Sequence, residues 1–91
     1  MKGLIKNYIE NLSLDKLKEF SNKNGFKLTD DELKFILDLV QKNYDDILVN
    51  ENKYLTILEE NINPVEFKKI KELFLYYKNR YKGYLFWYFI Y

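Results

Sequence analysis

Residues 63–91 read NPVEFKKIKELFLYYKNRYKGYLFWYFIY, and the spacing within this stretch points to a helical protein. Asn63 supplies an N-cap oxygen, and Pro64 fits the first helical position, where its missing N–H is not needed. Glu66 puts an acid in the first turn, where the helix dipole favours it. Phe67, Ile70, Phe74, Tyr77, Tyr81, Tyr84, Tyr88 and Tyr91 then follow at alternating steps of three and four. This is a heptad seam of apolar and aromatic residues, and it passes through Gly83 to the last residue. A glycine inside a helix costs only ~1 kcal/mol relative to alanine, so one helix from Pro64 to near the C-terminus is the preferred reading. The competing reading stops the helix at Lys82 and uses Gly83 as the left-handed residue beyond it. Residues 84–91 would then be a docked tail or β-like segment, which their β-prone composition favours.

Moving back along the chain, the punctuation stays helical. Thr29-Asp30-Asp31-Glu32 is a capping box with acids in the first turn, and Leu33, Ile36, Leu37, Val40 and Tyr44 form the apolar stripe behind it. Ser13 stands as an N-cap before Leu14, Leu17 and Phe20, and Asn24-Gly25 ends that helix. Leu4, Ile5, Tyr8, Ile9 and Leu12 mark a short first helix. Residues 45–49 are ambiguous: Ile47-Leu48-Val49 suits either an extended connector or one helical turn, and Asp45-Asp46 reads as a solvated turn. Asn50 is expected to cap a fourth helix carrying Tyr54, Leu55 and Leu58.

Ninety-one residues provide one core rather than two. An aromatic content of 19% argues against disorder. The net charge of +1 conceals an asymmetry. Residues 1–64 hold nine lysines against twelve acids, for −3, and residues 65–91 hold six cations against Glu66 and Glu72, for +4. The plain reading is that the basic end packs beside the acidic middle of the same molecule. The N-terminus has no apolar run to serve as a signal peptide or anchor, and the longest apolar stretch, residues 84–91, has eight residues. A spanning helix needs ~20. A cytoplasmic protein is expected.

The composition also removes most chemistry. Cysteine and histidine are absent, so the common nucleophiles, their usual base and the ordinary zinc and haem ligands are missing. Ser13 and Thr29 are explained as caps, and neither Ser21 nor Thr56 has a base in recognisable relation to it. Glycines at positions 3, 25 and 83 only cannot form a phosphate-binding loop. Asp30, Asp31 and Glu32, or Asp45 and Asp46, lack the alternating pattern of a calcium loop. No enzyme, cofactor or metal is expected.

What remains is a surface. Ten of the eighteen residues from Phe74 to Tyr91 are aromatic, out of seventeen in the chain. One helix presents about a third of its circumference to a single core, so a small domain has difficulty covering all of them. The candidate partner-binding residues are Tyr77, Tyr81, Tyr84, Leu85, Phe86, Trp87, Tyr88, Phe89 and Tyr91. The leading expectation is a protein–protein contact or scaffold, most simply a homodimer. Lys78, Arg80 and Lys82 form a candidate basic patch. Beside the Tyr- and Trp-rich end, that patch gives a second reading as a peripheral membrane surface, short of a transmembrane span. A third reading is nucleic-acid binding, with cations on phosphates and tyrosines on bases; the seam arrangement and the absence of a domain-wide basic excess make it unlikely.

The run from Leu12 to Phe20 (LSLDKLKEF), the run from Gly25 to Leu33 (GFKLTDDEL), Ile62-Asn63-Pro64-Val65-Glu66 and Ile70-Lys71-Glu72-Leu73-Phe74 together resemble the YqfT-like domain of unknown function. These are small uncharacterised proteins of low-GC Gram-positive bacteria. The resemblance covers roughly residues 4–77 and implies a compact helical cytosolic protein, with no functional residue to carry over. The end from Tyr81 onward has no counterpart in that pattern. Part of the same stretch is also similar to the helix–loop–helix of SAP-type nucleic-acid modules. Here, however, the loop has only Lys23 and Lys27 and an acidic cluster follows it. The expectation is therefore one all-α domain over residues 1–91. It would be a small orthogonal bundle of about five helices with a long aromatic C-terminal helix, residues 84–91 forming an aromatic extension.

Overall fold

The structure, a computed structural model, describes residues 2–80, with side chains at 6–47, 49–76, 78 and 79. Five helices follow one another: α1 (Lys2–Glu10), α2 (Leu14–Lys23), α3 (Asp30–Val49), α4 (Glu51–Asn61) and α5 (Pro64–Arg80). No strand occurs among the described residues. The all-α, five-helix expectation is met. The continuation of the last helix, its possible stop near Gly83 and the aromatic extension at 84–91 lie outside the described residues.

Local chemistry sets the helix boundaries. The Ser13 hydroxyl accepts the Lys16 N–H at 3.1 Å. At the other end of α2, Gly25 has φ of 75°, the left-handed conformation that glycine adopts without strain. The Phe26 N–H then donates to Ser21 O at 3.0 Å and the Gly25 N–H to Asn22 O at 3.3 Å, the paired bonds of a Schellman ending. Both halves of the Thr29–Glu32 capping box are present, at 2.9 and 3.1 Å. Asn63 Oδ1 accepts the Val65 N–H at 2.9 Å, with Pro64 as the first residue of α5.

Two expectations in the middle of the chain are corrected. For Ile47-Leu48-Val49 the helical alternative holds and the extended connector does not, and Asp45-Asp46 are not a solvated turn; all five residues belong to the end of α3. The helix survives a kink at Asn43 (φ −131°, ψ 16°), whose side-chain amide donates to Leu39 O at 2.9 Å and so competes with the helical ladder. Asn50 does stand between α3 and α4, but its side chain does not cap α4. It turns back instead to donate to Asp46 Oδ1 at 2.7 Å.

Helix α3 is the hub, with α1, α2 and α4 packed on it and α5 paired with α4. The Gln41 amide fixes α1 by donating to Ile9 O at 3.0 Å and Leu12 O at 2.8 Å, satisfying carbonyls at that helix's open end. The buried residues gather at one pole. Phe26, Leu33, Ile62 and Phe67 all lie at or near the α2–α3 and α4–α5 connections, and Leu33 is only 1% exposed. Tyr54, at the start of α4, is buried nearer the opposite end.

Candidate functional site

At the packed pole, two carboxylates tie the connections together. Glu66, in the first turn of α5, is 5% exposed. Its Oε2 accepts the Lys27 backbone N–H at 3.0 Å, and its Oε1 accepts Lys69 Nζ at 3.2 Å. Lys69 also donates to Gly25 O at 3.2 Å. Glu32 completes its capping box with one oxygen and with the other accepts the Asn63 N–H at 2.8 Å, linking the starts of α3 and α5. These N–H donors favour the charged carboxylates. The Thr29 and then the Asn63 backbone hold Glu32 below its ordinary value, and the Lys27 backbone, aided by Lys69, does the same for Glu66. An acid destined for proton transfer would carry a raised pKa or an unfilled oxygen. Here the oxygens are committed to structure.

The same holds at the far end of α3. Asp46 accepts hydrogen bonds from the Tyr54 hydroxyl, the Asn50 amide and Lys53 Nζ. The Tyr54 bond leads the effects that lower the Asp46 pKa, and the carboxylate in turn raises that of Tyr54. Thr56 donates its hydroxyl to Asn52 O at 2.9 Å. Among the described residues no cluster of three or more acids could hold a metal ion.

An apolar cleft is the feature left unfilled. It lies between α2, α3, α4 and α5 and has a volume of about 130 Å³. Leu17 and Phe20 of α2, Leu28 of the loop, Leu33 and Ile36 of α3, Leu58 of α4, and Ile70 and Leu73 of α5 line it. Phe20 is 43% exposed. Phe26 and Ser21 complete the lining, and no charged side chain stands in it to pair with a charged group. Most wall residues are apolar positions on the helices. The cleft is not, because four helices must meet before it exists.

The residues singled out from sequence are distributed unevenly. Tyr77, Lys78 and Arg80 fall on the last turns of α5. Lys78 makes an ion pair with Glu51 at the start of α4, so one cation of the basic patch faces the acidic middle of its own chain. Tyr81, Lys82, Tyr84, Leu85, Phe86, Trp87, Tyr88, Phe89 and Tyr91 lie outside the described residues. Along α5 itself, Phe67 is buried, Ile70, Leu73 and Phe74 are partly covered, and Leu75 and Tyr76 are 40% and 54% exposed. Among the described residues no helix is long and apolar enough to cross a membrane.

No protein-family model matches the chain, and no curated protein or solved structure does either.

Proposed function

We propose that the protein is a non-enzymatic, cytoplasmic protein–protein interaction or scaffolding module that docks through its aromatic C-terminal region. One observation carries this reading: large apolar residues stand exposed near the end of α5, and the sequence beyond it is rich in aromatics. Leu75 and Tyr76 are exposed, and residues 81–91 contain seven aromatics together with Leu85 and Ile90. A patch of this composition on a small domain marks a surface that a partner covers. The committed oxygens of Glu32, Glu66 and Asp46 support a role without catalysis. Kinship with the YqfT-like proteins belongs to the same proposal, supported by the helix boundaries at Ser13, Gly25, Thr29 and Asn63.

Sedimentation equilibrium on the intact chain and on the triple variant Phe86→Ser, Trp87→Ser, Phe89→Ser tests it. The intact chain is expected to associate and the variant to remain monomeric with its helix content kept. Two equally stable monomers would refute the reading. A shift of Trp87 emission only on anionic vesicles would replace it with membrane-surface binding.

A further inference from the structure

We propose that the Asn24–Gly25 bond is a site of spontaneous covalent modification, where Asn24 deamidates through a succinimide, and that the folded end of α2 controls the rate and is loosened by the product. Neither part depends on the interaction reading above: the bond lies at the packed pole, and its chemistry needs no partner.

The sequence selects the bond. Of the ten asparagines in the chain, only Asn24 precedes a glycine. Asparagine side chains are thermolabile, because the backbone nitrogen of the next residue lies within reach of their carbonyl carbon. Gly25 has no side chain to shield that nitrogen. Both residues are exposed, so water and hydroxide reach them. Atoms balance with these alone. Hydroxide takes the Gly25 N–H proton, the nitrogen bonds to Asn24 Cγ, the Cγ–Nδ2 bond breaks, and ammonia leaves with a proton from water. Water then opens the five-membered imide at either carbonyl. One opening gives aspartate, and the other gives isoaspartate, whose backbone runs through the former side chain. Nothing is oxidised or reduced.

The fold holds the reacting atoms apart. Ring closure needs the Gly25 nitrogen on the same side of the Asn24 Cα–C bond as Cβ. Asn24 has ψ of 10°, so that nitrogen nearly eclipses the Asn24 backbone nitrogen and stands away from Cβ. The Gly25 N–H is also occupied, donating to Asn22 O at 3.3 Å, and the Phe26 N–H donates to Ser21 O at 3.0 Å. Asn24 Nδ2 donates to Phe20 O at 2.8 Å. Attack therefore requires the last turn of α2 to open, and its rate scales with the open fraction.

Deamidation then works against reclosure. The new carboxylate cannot donate to Phe20 O, and it places negative charge at the negative end of the helix dipole. Isoaspartate also adds one backbone atom just ahead of three contacts that fix the pole. These are Gly25 O with Lys69 Nζ at 3.2 Å, the burial of Phe26, and the Lys27 N–H with Glu66.

The test incubates the full-length chain at mildly alkaline pH, both folded and in guanidinium, and follows every asparagine by peptide mass spectrometry. Asn24 is expected to react first in the unfolded chain, and about tenfold or more slowly once folded. Phe26→Ala, or urea below the unfolding midpoint should that variant fail to fold, loosens the turn. Either should speed deamidation in step with hydrogen exchange at the Gly25 and Phe26 amides. The purified deamidated chain should melt below the unmodified one. A folded chain that reacts as fast as the unfolded one overturns the proposal, as does an unfolded chain in which another asparagine reacts first. So does a folded rate that stays fixed while those two amides exchange faster, or an unchanged melting temperature after deamidation.

Discussion

The two ends of α5 are built on different principles. Its first turn is locked into the molecule by side chains: Glu66 is buried against the Lys27 backbone, Glu32 reaches the Asn63 N–H, and Phe67 closes the core. Its last described turns meet the start of α4 through the partly exposed Lys78–Glu51 pair, and Leu75 and Tyr76 face outward. One helix thus joins a buried, hydrogen-bonded first turn to a more exposed end. The difference shows how a small domain can concentrate burial and long-range hydrogen bonds at one end of a helix, here the pole formed by the α2–α3 and α4–α5 connections.

The anchored pole should break most sharply at Leu33. Leu33→Ala removes the most deeply buried side chain and leaves a cavity beside the cleft, at a cost of ~2–5 kcal/mol. At roughly 4–8 °C per kcal/mol for a domain of this size, the melting temperature should fall by about 8 °C or more in a calorimetric or circular dichroism melt.

Acid attacks the same pole. Glu32 and Glu66 both titrate lower in the fold than in the unfolded chain, so their stabilisation is full above the ordinary carboxylate range. It drains away as pH falls below about 4. Melts taken downward from neutral pH should lose stability through that window, and Glu66→Gln should flatten the dependence. An unchanged slope in that variant would assign the acid sensitivity to other groups.

Smaller effects sharpen the contrast. At Gly25 an added Cβ meets nothing within 4 Å, so Gly25→Ala measures only the strain of a left-handed backbone, ~1–2 kcal/mol. Thr29→Ala removes one half of the capping box and should cost ~1 kcal/mol in a denaturant titration. At the far end, Lys78→Ala breaks a partly exposed ion pair and should cost no more than ~1 kcal/mol. A larger loss from Lys78→Ala than from Thr29→Ala would mean that the C-terminal end of α5 is anchored after all.

Much of the fold was legible because its signals are local. Ser13, Gly25, Thr29 and Asn63 each act on backbone groups within a few residues, so sequence spacing alone places them. Asn50 was misread because its side chain has two acceptable partners. The identity of the residue offers an N-cap, but Asp46 one turn earlier supplies a charged acceptor that holds the amide instead. Residues 45–49 are ambiguous in sequence because Ile47-Leu48-Val49 suit a strand or a helix alike, and the structure continues α3 through them past the kink at Asn43. Of the candidate site, the apolar excess read from composition falls on residues 84–91, outside the described residues, and the cleft has no signal in the sequence.

Sequence by itself therefore determined the all-helical class, most helix starts and stops, and the gathering of aromatics toward the C-terminus. These follow from hydrogen bonds and apolar periodicity that operate over one or two turns. Only the tertiary structure decided that Glu66 is buried, that Glu32 joins two helix starts, and that four helices leave an apolar cleft between them. Each of these joins residues some thirty or more positions apart in the chain, such as Lys27 with Glu66 or Leu17 with Leu73, and no local rule sees across that distance.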